Sequence, residues 1–166
     1  MSGETSRSGD ASTTFARRFI LISFVYFIIG TLWMGPFGIL IPGPSGNAGS
    51  AYDTGKWHLV FIGFLAFAVM GMIYYLAPKI GGRQLHSRRL GSIHFWISNI
   101  FLPIGVILEV SLATAYQDFI NSAATINPST FPAGLMVAFI VVLIVFFVGI
   151  GAQAVFVYNI YKTMKG

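Results

Sequence analysis

Three histidines, one carboxylate inside an apolar stretch and two methionines are the side chains whose chemistry stands out in this chain. His58 opens the apolar run that ends at Tyr74-Tyr75-Leu76-Ala77-Pro78. His94, followed by Phe95-Trp96, opens the next apolar run, and His86 lies in the basic loop between them. A neutral imidazole at the head of an apolar helix is a good axial ligand for haem iron. The competing reading is an interfacial histidine bonded to lipid headgroups. A second axial ligand would come from Met34, from Met136, or from His58 of another subunit. For His94 the alternatives are cofactor ligation or an aromatic anchor at the membrane interface, and His86 reads as solvated. Glu109 is the acidic residue within an apolar span. An ionised carboxylate in lipid is costly, so Glu109 is a proton-path or cofactor-facing candidate, or a carboxyl bonded to a neighbouring helix. Ser98, Asn99, Ser111 and Thr114 on the same span are possible partners.

The elements that must position these residues follow from composition. The chain has 166 residues, of which 55% are hydrophobic and 9% charged, with a mean hydropathy of +0.77. A soluble domain cannot cover its surface with so few charges. The 16 Phe, 7 Tyr and 3 Trp suit helix packing and interfacial belts. With no cysteine, disulfides, thiolate metal sites, iron–sulfur clusters and c-type haem attachment are excluded. The net charge of +5 does not point to nucleic acid, because the basic residues flank apolar segments and form no recognition motif. No Ser/His/Asp set, H-E-x-x-H site or phosphate loop is present.

The pattern predicts an all-α, integral-membrane four-helix bundle, with spans at about 19–41, 57–80, 90–116 and 131–161 behind a flexible polar tail, 1–17. Gly35-Pro36 is expected to kink the first span. Ser129-Thr130 is expected to cap the fourth, with Pro132 in its first turn. Gly63, Ala66, Ala68 and Gly71 would let a flat macrocycle or a neighbouring helix approach the second span, and Gly149 and Gly151 suggest close contact on the fourth. Gln153 and Asn159 read as packing residues. Nine of the ten basic residues fall in the tail, the 79–89 loop and the C-terminal end. By the positive-inside rule both termini are cytoplasmic. His58, Met34, Glu109 and Met136 then lie in the outer half and His94 near the inner face. His58 and His94, separated by most of a membrane thickness, cannot share one iron within a monomer.

Met70 to Trp96 carries a family pattern. Gly71, Tyr74-Tyr75-Leu76, Pro78, Leu85-His86-Ser87 and Phe95-Trp96 resemble the second-to-third helix region of the nitric oxide reductase catalytic subunit, within the haem-copper oxidase superfamily. The first span and the ending Asn159 to Thr163 are loosely similar to helices of that fold. The resemblance implies that the histidine opening the Tyr-Tyr-Leu-x-Pro helix ligates a low-spin haem. His58 is the candidate, about one residue off the family register, so the assignment needs a one-residue shift or a helix bulge. The family's later histidines, which serve the high-spin haem and second metal, have no counterpart in this sequence. The chain reads as a truncated, four-helix version of the fold that does not reduce oxygen or nitric oxide alone.

These readings converge on a multi-pass plasma-membrane subunit of a respiratory or oxidase-type complex. It is expected to carry haem b through His58 for electron transfer, and to meet the bilayer and other membrane subunits or further copies of itself. A haem-free structural or assembly subunit is the alternative. A proton-conducting or transport protein centred on Glu109 is the third reading.

Overall fold

Helices account for all described secondary structure, as so apolar a chain requires when lipid offers no hydrogen bonds to an open backbone. The computed structural model describes residues 5–34, 54–123 and 132–165. Four helices follow in order: α1, Thr5–Met34; α2, Thr54–Ile80; α3, Arg88–Ala123; and α4, Ala133–Lys165. Each contains a stretch long and apolar enough to cross a membrane. At 36 and 33 residues, α3 and α4 extend about 50 Å, beyond a hydrocarbon core of about 30 Å. Gly35-Pro36, Ser129-Thr130 and most of the 42–56 loop lie outside the described residues. Pro132 stands just before α4, and its carbonyl accepts the Leu135 amide at 3.0 Å.

The bundle is built from two pairs. α1 packs along α2 and α3 along α4, while α2 also touches α3 and α4. α1 begins at Thr5, upstream of the expected span. Ala11, Phe15 and Ala16 are buried, and the Phe15 ring lies against Tyr74 at 5.6 Å.

The winding of α2 changes just after His58. Residues Leu59–Ala66 form a π-helical stretch. Its physical reason lies in the buried row Gly55, Leu59, Gly63, Phe67 and Gly71, which recurs every fourth residue. An α-helix advances 100° per residue, so a four-residue step overshoots by about 40° and the row would wander off the interface. The looser π winding keeps it in line. α1 packs tightly against Gly63 and Gly71. A Cβ on Gly63 would sit 2.7 Å from Tyr26, and one on Gly71 would sit 3.0 Å from the Ala16 carbonyl. α1 therefore occupies the approach that these glycines open. Gly149 and Gly151 behave differently: nothing lies within 4 Å of a Cβ placed on either. Helix α4 instead buries Ala152, Phe156, Asn159 and Thr163, so the close contact expected at those two glycines is on another face.

The core is aromatic and centred on Phe19, which has no exposure. Its ring stacks on Tyr74 at 5.5 Å and on His94 at 4.9 Å, with the edges of Phe67 and Phe95 closing in at 5.5 and 5.0 Å. The Leu85-His86-Ser87 loop is clamped beneath this core. Asn159 accepts the Ser87 amide and donates to the Ser87 carbonyl, both at 3.0 Å, and Thr163 accepts the His86 amide at 3.0 Å. The Ser87 hydroxyl accepts the Leu90 amide at 3.2 Å, the N-cap that starts α3.

Candidate functional site

His58 and Glu109, 51 residues apart in sequence, meet across α2 and α3. The His58 Nδ1 lies 2.8 Å from the Glu109 Oε2. The approach is enforced by the backbone one turn earlier, where a Cβ on Gly55 would sit 2.9 Å from Val110 and 3.3 Å from Val106. Those two valines bracket Glu109 on α3. With the proton of a neutral imidazole on Nδ1, the carboxylate accepts and Nε2 keeps its lone pair. No other hydrogen bond to the His58 ring is present among the described residues. The side chains are 40% and 27% exposed, so the pair lies at the bundle surface and not in its core. Of the partners considered for Glu109, the neighbouring helix supplies the one that is found. Thr114 instead bonds back to the Val110 carbonyl at 2.9 Å, Asn99 to the Phe95 carbonyl at 2.8 Å, and Ser98 accepts from Gln153 at 3.3 Å.

Glu109 also lines an apolar cavity of about 560 Å³ between α3 and α4, together with Leu112, Tyr116, Met136 and Phe139. The structure thus gathers His58, Glu109 and Met136 at one end of the bundle. Met34 closes α1, and its side chain lies outside the described residues.

His94 is elsewhere and is fully buried. Its ring is sandwiched between Phe19 at 4.9 Å and Phe156 at 4.8 Å. Both nitrogens are engaged: Nδ1 with the Tyr74 hydroxyl at 3.1 Å and Nε2 with the Gln153 Oε1 at 3.3 Å. A carboxamide oxygen only accepts, so Nε2 carries the proton and Nδ1 accepts from Tyr74. Its neighbour Phe95 is buried while Trp96 faces outward. His86 is exposed in the loop, with its ring edge-on to Tyr158 at 6.0 Å. Gln153 and Asn159, read from sequence as packing residues, are the polar partners of His94 and of the loop. The signal for both was available: a buried amide needs a hydrogen-bonding partner.

The family described as "Cytochrome C and Quinol oxidase polypeptide I" matches residues 8–109, which includes both His58 and Glu109. The cbb3-type cytochrome c oxidase subunit CcoN1 of Stutzerimonas stutzeri is 33% identical over 50% of this chain and 18% of its own. Cytochrome c oxidase subunit 1 of Corynebacterium diphtheriae is 28% identical over 58% of this chain and 18% of its own. The alternative cytochrome c oxidase subunit 1 of Bradyrhizobium diazoefficiens is 26% identical over 92% of this chain and 25% of its own. The chain therefore spans a quarter or less of the length of these curated relatives. No solved structure matches it. The four spans together with these relatives make it a multi-pass protein of the cell membrane, related to respiratory oxidases. On the family match over residues 8–109, the chain belongs to the Cytochrome C and Quinol oxidase polypeptide I family.

Proposed function

We propose that this protein is a small b-type haem subunit of a respiratory oxidase-type membrane complex, with His58 as the axial ligand and electron transfer as its role. The observation that carries this reading is the His58 ring itself. It stands at the head of α2 within the family-matched segment, with Nδ1 at 2.8 Å from Glu109 and Nε2 without a hydrogen-bond partner among the described residues. The donor set fits the group. A porphyrin supplies four equatorial nitrogens, so one oriented imidazole suffices to hold haem iron, and an imidazole is a normal haem ligand. Met136 at the same end, Met34, or His58 of a second copy would complete the axial pair. Bound haem would supply one-electron redox chemistry. The chain's part is to hold the imidazole, to keep its ring fixed and to surround it with apolar side chains. The distribution of basic residues supports cytoplasmic termini, which sets His58 and Glu109 in the outer half of the membrane.

The haem-free structural reading rests on α4, where Val137, Phe146 and Phe147 are each at least 60% exposed. So wide an apolar surface suits lipid and partner helices alike. The deciding measurement is a reduced-minus-oxidised spectrum of the purified full chain made with haem available. A b-type band that disappears in His58→Ala supports the haem reading. A colourless preparation sinks it and leaves the structural one.

A further inference from the structure

Glu109 does more at this site than find a partner for its own charge. It is held against His58 by a tight approach of α2 to α3, where Gly55 leaves no room for a side chain beside Val106 and Val110. The two helix backbones are therefore fixed on either side of the pair. The imidazole can turn about its side-chain bonds only by giving up the contact between Nδ1 and the Glu109 carboxylate, 2.8 Å long. Ligating histidines characteristically use their second nitrogen in this way. A carboxylate on that nitrogen fixes the tautomer and the ring plane, and makes the other nitrogen a stronger donor. The far side of Glu109 lines the apolar cavity, where few polar groups compete with His58 for the carboxylate.

We infer that Glu109 is the positioning residue of the haem site: accepting the His58 Nδ1 proton, it presents Nε2 to the iron and makes the ligand more electron-rich. This rests on the reading of His58 as the haem ligand. It differs from a plain intramembrane pair, in which the histidine serves only to offset the cost of a carboxylate in lipid. In that case removing the carboxylate would leave haem binding untouched.

The test uses the purified full chain in detergent, with three readouts. These are haem per protein after expression, the Kd for haem from titration with iron protoporphyrin IX, and the midpoint potential of the bound haem. Glu109→Leu removes the acceptor and is expected to weaken haem binding about tenfold or more, as loss of an outer-shell partner does at metal sites. Glu109→Gln keeps an acceptor oxygen without the charge. It is expected to retain haem and to shift the potential upward, because a less electron-rich imidazole favours the ferric state less. A potential shift of this sign does not follow from a loss of packing. Wild-type affinity in Glu109→Leu, or an unchanged potential in Glu109→Gln, overturns the inference while leaving His58 as ligand. A colourless wild-type chain overturns both. Should Glu109→Leu fail to fold, the potential of Glu109→Gln decides alone.

Discussion

Replacing Tyr74 by Phe removes one oxygen from the middle of the bundle, and the structure sets its cost. The Tyr74 hydroxyl donates to His94 Nδ1 at 3.1 Å, and both residues have no exposure. In Tyr74→Phe, Nδ1 remains buried without a donor. An orphaned polar atom of this kind costs about 1–3 kcal/mol in a water-referenced protein. In a bilayer the unfolded reference also finds partners, and interhelical hydrogen bonds average only about 0.6 kcal/mol, with the best near 1.7. His94 belongs at the upper end, because it has no exposure and water cannot replace the lost donor. The expected loss is about 1–2 kcal/mol. His94→Phe orphans two groups, the Tyr74 hydroxyl and the Gln153 oxygen, and should cost more. The double variant removes donor and acceptor together, so it should be less unstable than the sum of the singles by about 1 kcal/mol. The assay is unfolding of the purified protein in mixed micelles with rising denaturing detergent, followed by helical circular dichroism. Additive single costs, or a Tyr74→Phe variant within about 0.5 kcal/mol of wild type, would refute the placement of this hydrogen bond.

Two further outcomes follow from close packing and from charge. Gly63→Val drives a side chain into Tyr26, whose atoms already lie 2.7 Å from a Cβ at that position, and is expected to cost about 1–3 kcal/mol. Gly149→Val meets nothing within 4 Å and should lie within about 0.5 kcal/mol of wild type. Equal thermal midpoints for the two variants would contradict the α1–α2 contact. Because the chain has no cysteine, single cysteines at positions 56 and 83 report topology cleanly. A membrane-impermeant maleimide added to intact cells should label Lys56→Cys and spare Arg83→Cys, and the opposite pattern would reverse the orientation.

The helices were legible because apolar runs bounded by glycine, proline and basic residues can do little else in a chain this hydrophobic. Which faces meet was not. Glu109 could be singled out as costly in lipid and as a candidate for a bond to a neighbouring helix, but not matched to His58, since periodicity along one helix says nothing about a residue 51 positions away. His94 read as an interfacial residue because a basic loop precedes it. The structure starts α3 at Arg88, two residues before the expected span, and buries His94 between Phe19 of α1 and Phe156 of α4. The step of four through Gly55, Leu59, Gly63, Phe67 and Gly71 was a readable sign of non-α winding. Sorting the glycines by what lies opposite them, which separates Gly63 from Gly149, needs the neighbouring helix and not the sequence.

The two histidines that frame the second and third helices divide their work by how many of their nitrogens are engaged. His94 has both nitrogens bonded and both faces covered, so its contribution is to lock four helices into one arrangement. Phe19 comes from α1, Tyr74 from α2, and Gln153 with Phe156 from α4. Among the described residues His58 has one nitrogen bonded, and it is partly exposed, which suits it to take a ligand. Glu109 and His94 lie on the same helix, fifteen residues or about 22 Å apart. The rigid aromatic core therefore fixes the helix that carries the carboxylate, and the carboxylate fixes the imidazole. A site held within a fraction of an ångström needs such a support, and this one passes from His94 through the backbone of α3 to Glu109 and His58. The order of dependence has a consequence. Damage to the His94 network should loosen the His58 ring and broaden any haem spectrum, whereas loss of His58 should leave the core intact.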